Sequence, residues 1–163
     1  MEQSINLRPE VAEDEEFLAR LYATTRDYEL NLLPWDSEQK AAFLQSQFGL
    51  QRQHYRKHYP NAAFLIIESN GAQIGRMYVD RSESDILLMD IALMPQFRGQ
   101  GLGGQLMAEL LAEAGAAQKA VRIHVERNNP ALHLYERLKF RVIEDKGVHY
   151  MMEWRADEAR AST

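Results

Sequence analysis

The stretch Ile86-Leu-Leu-Met-Asp-Ile-Ala-Leu-Met-Pro-Gln-Phe-Arg-Gly-Gln-Gly-Leu-Gly-Gly-Gln-Leu-Met-Ala-Glu-Leu-Leu111 holds the sharpest change of character in the chain. From Ile86 to Met94 every residue is apolar except Asp90, the pattern of a central strand covered on both faces. Pro95 ends it. Gly99, Gly101, Gly103 and Gly104 follow, where the backbone bends tightly and a ligand approaches without meeting a Cβ. Leu102, Leu106 and Leu110 then make one helical ridge, with Met107, Leu111 and Ala114 beside it. Strand, glycine loop and helix in that order leave the first helical amides facing outward without acceptors. With the helix dipole they form an anion site suited to phosphate. Arg98 contacts a phosphate or pairs with a carboxylate. Tight turning and close helix–sheet packing are the competing explanation of the glycines.

Toward the N-terminus, Phe64 to Ile67 and Gln73 to Val79 read as strands joined by a turn at Ser69, Asn70 and Gly71, with a second turn over Asp80 to Asp85. Ile5 to Arg8 is a short strand ended by Pro9. From Glu13 the spacing of Phe17, Leu18, Leu21 and Tyr22 is helical, and the acidic run Glu13 to Glu16 suits the unpaired amides of a first turn. Pro34 breaks the pattern, and a second helical stretch runs from Ser37 to Tyr59 with an interruption expected near Gly49. Toward the C-terminus, Val121 to Val125 is a strand and Pro130 to Leu138 a helix with Pro130 in its first position. Phe140 to Glu144 and Val148 to Trp154 are closing strands around Lys146 and Gly147. The order β, α, α, β, β, β, α, β, α, β, β has no regular βα repeat. It gives an α/β (α+β) fold, a mixed sheet with helices on its faces. One domain is expected over 1–154, with a polar, frayed tail over 155–163.

With 163 residues, 45% of them hydrophobic and 26% charged, the chain suits one soluble domain and not a disordered polymer. It has no cysteine, which removes disulfides, thiolate metal sites and a cysteine nucleophile. A net charge of −5, from 19 basic and 24 acidic side chains, and the lack of a basic stretch interleaved with aromatics argue against a nucleic-acid partner. Neither a basic start followed by an apolar run nor a long apolar segment is visible. The expectation is therefore a cytoplasmic protein without a membrane partner.

Gly99, Gly101 and Gly104 spell G-x-G-x-x-G, but too little chain follows for a doubly wound dinucleotide domain. No Gly-Lys-Ser or Gly-Lys-Thr completes a Walker loop. Arg98-x-x-Gly101-x-Gly103 instead resembles the acetyl-CoA pyrophosphate loop of the GNAT superfamily of N-acetyltransferases, and the strand and helix around it resemble that family almost throughout. Ile123-His-Val-Glu-Arg-Asn-Asn-Pro-Ala-Leu-His-Leu-Tyr-Glu-Arg-Leu-Lys-Phe140 resembles its second signature, with Asn129, Ala131, Tyr135 and Phe140 at the family's positions. Lys139 departs from it, standing where many members carry Gly; the expected consequence is a changed turn geometry.

The resemblance covers residues 64–154 and implies an acyl-CoA N-acyltransferase-like fold with a mostly antiparallel mixed sheet. It also implies direct acetyl transfer from acetyl-CoA to a primary amine of a small molecule or peptide, through a ternary complex and with no metal. On that resemblance the backbone of Ile91, Ala92 and Leu93 holds the pantetheine arm, and Arg98, Gly99, Gln100, Gly101, Leu102, Gly103 and Gly104 hold the diphosphate. Asn129 lies near the arm, although an Asn before Pro130 is equally a helix cap. Tyr135 is the proton donor to the departing thiolate, its competing role being a packed aromatic. A homodimer through the last strands is a further implication.

Asp90, a carboxylate inside an apolar strand, is a candidate base or a structural hydrogen-bond partner. Glu83 and Asp85 are weaker candidates, and a water chain would also serve. For the acceptor, Trp35 with Tyr28 and Glu29 offers an aromatic wall and an anion for an ammonium group, or Trp35 covers a helix junction. Arg76 and Tyr78 alternate on one strand face, lining a cleft or facing solvent. His54 and His58 stand at helical spacing without a third metal ligand. The alternative function is a non-catalytic acyl-CoA-binding regulatory module of the same fold.

Overall fold

The computed structural model describes residues 4–161. Seven strands make one sheet: β1 (Ile5–Pro9), β2 (Ala63–Ser69), β3 (Ala72–Arg81), β4 (Asp85–Leu93), β5 (Ala120–Glu126), β6 (Arg141–Asp145) and β7 (His149–Trp154). Their spatial order is β1-β2-β3-β4-β5-β7-β6. β1 pairs antiparallel with β2, and β7 antiparallel with both β5 and β6, while β4 and β5 run parallel. Five helices flank this mixed sheet: α1 (Glu15–Asn31), α2 (Ser37–His58), α3 (Leu102–Ala117), α4 (Leu132–Arg137) and α5 (Ala156–Ala161). The element order read from the sequence is the one observed through β7, and α5 follows it. Among the described residues no helix is long and apolar enough to cross a membrane.

The described residues fall into two compact units, one holding the chain up to Met77 with Ile91–Arg98 and the other holding Tyr78–Asp90 with the chain from Gly99 onward. In the first, Phe17, Leu18, Leu21 and Tyr22 of α1 bury their helical stripe with Phe48 of α2 and Ile66 of β2, and Ala92 and Met94 pack against that cluster. The β2–β3 turn forms where expected, Asn70 and Gly71 both at positive φ (52° and 81°), as a tight hairpin requires. α2 runs unbroken through Gly49, so no interruption exists there. The acidic run also does more than serve a helix end. Asp14 is buried and takes two hydrogen bonds from Arg8, both at 2.8 Å, with others from the Val11 amide and Gln73. The Arg8 guanidinium holds its carboxyl well below the usual carboxylate range.

In the second unit the buried residues include Leu106, Met107 and Leu110 of α3, Val121, Ile123 and Val125 of β5, and Met152 and Trp154 of β7. α4 begins at Leu132, two residues after the expected start. Asn129 accepts the Ala131 N–H on its side chain (2.9 Å) and the Leu132 N–H on its carbonyl (3.0 Å), so the turn at Pro130 precedes the helix. Lys139 takes φ +78°, the left-handed conformation that Gly would supply without strain. The tail expected to fray forms α5 over Ala156–Ala161, where Arg141 pairs with Glu158.

Candidate active site

β4 ends at Leu93 and the Met94 N–H donates to the Ile74 carbonyl (2.8 Å). Pro95–Phe97 make a single 3₁₀ turn and Arg98 is extended. Gly99 and Gly101 then take φ +75° and +82°, a conformation that side chains rarely adopt. These two left-handed residues wind the chain directly into α3. The first hydrogen bond of that helix runs from the Gln105 N–H to the Gly101 carbonyl (3.0 Å), so the amides of Leu102, Gly103 and Gly104 precede the ladder. Gly101 supplies no side-chain cap, and a Cβ on Gly103 or Gly104 would meet nothing within 4 Å. The cradle is open, glycine-lined and rich in donors, which fits a diphosphate.

Arg98 is turned onto groups of the protein itself. Its Nε donates to the Leu93 carbonyl (2.9 Å) and its Nη2 to Thr24 Oγ1 of α1 (3.2 Å), so the guanidinium braces the end of β4. Ile91, Ala92 and Leu93 are half-buried. Facing them in β3 is Gly75, which sequence reading passed over. A Cβ there would lie 2.2 Å from the Ala92 carbonyl oxygen. A glycine inside a strand was the available signal.

Within the second unit, the parallel pairs run from Asp85↔Ala120 to Leu88↔Ile123. Met89 and Asp90 on β4, and His124 to Glu126 on β5, continue past them. Asp90 is half-buried. Tyr135 of α4 is buried, packed edge-on against Phe140 with ring centroids 5.7 Å apart. Burial, and after it the negative charge of Asp90, pushes the Tyr135 phenol up to about 12. The two proposed catalytic side chains thus feel each other, and the phenol is fully protonated at neutral pH. Asn129 spends its side-chain oxygen on capping. Glu83 is exposed, and Asp85 bonds Ser82 within its turn and lies 3.7 Å from Arg122.

The acceptor candidates do not gather into one wall. Tyr28 stands 79% exposed on α1. Glu29 pairs with Arg26 (3.0 Å), and Trp35 packs edge-on against Phe43 of α2, the helix-junction role. Arg76 and Tyr78 are both buried rather than solvent-facing, and Arg76 donates to Gln51 (2.8 Å). The His54 and His58 rings lie tilted against each other with centroids 4.5 Å apart. Among the described residues no group of three or more His, Cys, Asp or Glu is placed to hold a metal.

The model of the acetyltransferase (GNAT) domain matches residues 60–142, half of the chain. A Bacillus subtilis (strain 168) protein, named as a candidate ribosomal protein bS18-alanine N-acetyltransferase, is 33% identical over 81 residues, covering 48% of this chain and 53% of that protein. The chain thus spans about half the length of that relative. Among solved structures, the PaiA N-acetyltransferase of Thermoplasma acidophilum in complex with coenzyme A superposes with a TM-score of 0.69 at 18% identity, over 93% of this chain and 99% of the other. Arabidopsis thaliana Naa50 in complex with the bisubstrate analogue CoA-Ac-MVNAL gives 0.61 at 15% identity, over 93% and 98%. At those identities the likeness is one of fold.

Proposed function

The chain belongs to the GNAT acetyltransferase family, and on that premise we propose that it moves the acetyl group of acetyl-CoA directly onto a primary amine of a small molecule or peptide. The observation that carries the reading is the glycine loop opening α3. Two left-handed glycines and three amides ahead of the helical ladder form a nest in which an anion needs no side chain to be held. Acetyl-CoA supplies the activated thioester; this chain's residues bind it, orient it and handle the proton.

Tyr135 is the donor to the departing thiolate. A phenol pushed up to about 12 lies well above a thiol, whose ordinary value is about 8.5. It therefore serves as a fixed hydrogen-bond donor and keeps its own proton, and the proton that ends on the thiol comes from the acceptor amine. Burial first, and the charge of Asp90 after it, hold the phenol protonated, and Asp90 is the candidate to accept a proton from the incoming ammonium. With no cysteine in the chain, direct transfer needs no acetyl-cysteine. A peptide amine stays among the acceptors because the B. subtilis relative is named for an alanine of a ribosomal protein.

Release of free thiol from acetyl-CoA, followed over a panel of amines, tests the reading. Tyr135→Phe should cut kcat by about 100-fold while leaving the melting temperature nearly unchanged. A wild-type protein that binds acetyl-CoA but releases no thiol with any amine would leave only the binding module.

A further inference from the structure

An open cavity of about 580 Å³ lies beside the β2–β3 hairpin, and every residue that lines it belongs to the first unit. Its lining includes Arg8 of β1, Glu68 of β2, Gln73 of β3, Phe17 and Arg20 of α1, and Met94 just past β4. The glycine loop, Asp90 and Tyr135 are not among the residues around it. Part of its charge is already matched. Arg8 gives two hydrogen bonds to the buried Asp14, both at 2.8 Å, so those two charges cancel. Glu68 takes one donor on each oxygen, Arg8 Nε at 2.8 Å and Asn6 Nδ2 at 3.1 Å. A carboxylate accepts about four bonds, so Glu68 has room for further donors. The Arg8 guanidinium, and after it the Asn6 amide, hold its carboxyl below the usual range. Gln73 gives its amide nitrogen to Asp14 (2.5 Å), leaving its oxygen as a second acceptor. Arg20 is the opposite case. Its pair with Glu16 is long, at 3.4 Å, with the two side chains 57% and 88% exposed, and such a pair contributes little. Its guanidinium stands 6.0 Å from the centre of the Phe17 ring. Phe17, with Met94 packed against its cluster, supplies the apolar surface.

We propose that this cavity is a second ligand site, built for a zwitterion of the amino-acid type. Glu68 and the Gln73 oxygen take the ammonium, Arg20 takes the carboxylate, and Phe17 and Met94 meet an apolar side chain. With Arg8 and Asp14 cancelling, one anion on β2 and one cation on α1 remain. A simple anion would meet Glu68 and a simple cation would meet Arg20, so only a ligand carrying both signs finds no like charge unanswered. Glu68 is already fixed by Arg8 and orients the ammonium with little further ordering, while the loosely paired Arg20 closes on the carboxylate as a fork. The volume falls within the ordinary range of small-molecule sites. Two sources carry this chemistry, a free amino acid and a short peptide with charged ends. The site does not depend on the acetyl-CoA reading above.

The test is isothermal titration of the full chain, without acetyl-CoA, against leucine, leucyl-leucine, N-acetyl-leucine and leucine amide. At least one of the two zwitterions should bind with a Kd of about 1 mM or tighter. N-acetyl-leucine lacks the ammonium and leucine amide lacks the carboxylate. Each should bind about tenfold or more weakly, the effect of losing one hydrogen bond between charged groups. Tighter binding of leucine identifies a free amino acid as the ligand, and tighter binding of leucyl-leucine identifies a peptide. Arg20→Glu alters an exposed side chain and so keeps the fold. It should weaken the zwitterion about tenfold or more and leave thiol release from acetyl-CoA with the best amine unchanged. The proposal is overturned by a wild type that binds neither zwitterion, by a blocked form that binds as well as the zwitterion, or by an Arg20→Glu variant that binds as wild type does. Loss of thiol release in that variant would make the cavity part of the acetyl-transfer site and overturn it as a separate one. Because the titration contains no acetyl-CoA, a failure of acetyl-CoA to bind strikes the family-based reading alone.

Discussion

Two helices of this protein begin in opposite ways. At α2, Asp36 takes the Gln39 N–H on its carboxylate (2.8 Å) and Gln39 returns a bond to the Asp36 N–H (2.9 Å), with Glu38 in the first turn. The helix end is satisfied by its own sequence. At α3, Gly101 stands in the capping place with no side chain to give, and the first turn holds no acidic residue. One start is closed and serves stability; the other is left open and, on the proposed function, serves a ligand. That reading makes the two ends separable: changes at α2 should move stability alone, and changes at α3 should move binding first.

Gly104→Asp puts the contrast under the greatest load. A carboxylate in the first turn of α3 suits the helix dipole, adding about 0.3–1 kcal/mol to stability, and no atom lies within 4 Å of the new Cβ. The same charge opposes a bound diphosphate at close range, so CoA affinity should fall on the order of 100-fold. Isothermal titration and thermal melting on one sample give both signs. A variant that is more stable yet binds CoA as before would mean the diphosphate is held elsewhere.

Gly101→Ala sharpens the comparison more gently. At φ +82° a side chain costs about 1–2 kcal/mol, although the space around it is open. Stability should fall by that amount in urea, and CoA affinity should weaken with it as the loop relaxes away from its bound shape. Equal stability to wild type would show that the left-handed turn is not enforced.

How much of this was legible beforehand follows from which signals are local. Strand, glycine loop and α3 could be read off 86–111 because apolar runs, Gly spacing and a leucine ridge are properties of neighbours in sequence. So was the Asn70-Gly71 turn. The start of α4 slipped by two residues because Asn129 bonds its own following amides, and side-chain capping geometry outweighed the preference of Pro130 for a first helical position. Asp14 read as helix-end chemistry because its partners, Arg8 and Gln73, lie on β1 and β3. Gly75 went unread for the same reason: the oxygen that excludes its Cβ belongs to the neighbouring strand. Arg98 was read as a phosphate contact or a carboxylate partner from its neighbourhood, and its bonds to the Leu93 carbonyl and to the Thr24 hydroxyl of α1 were not visible there. Pairwise packing across elements is what one sequence leaves unstated, and the acceptor candidates Tyr28, Glu29 and Trp35 depend on it most.

The smallest effects belong to α2, where stability alone should respond. Asp36→Ala removes the carboxylate that accepts the Gln39 N–H and should cost about 1 kcal/mol, with CoA affinity and kcat unchanged. Gly49→Ala should do the reverse. Gly49 lies inside an unbroken helix, at negative φ, with nothing within 4 Å of the added methyl, so the substitution should stabilise by about 0.5–1 kcal/mol by restricting the unfolded chain. The two together should nearly cancel in a denaturant melt, since they sit on different turns of one helix and share no partner. Loss of CoA binding in either variant would show that the α2 end is coupled to the ligand after all, and the distinction between a helix start closed by its sequence and one kept open for an anion would no longer hold.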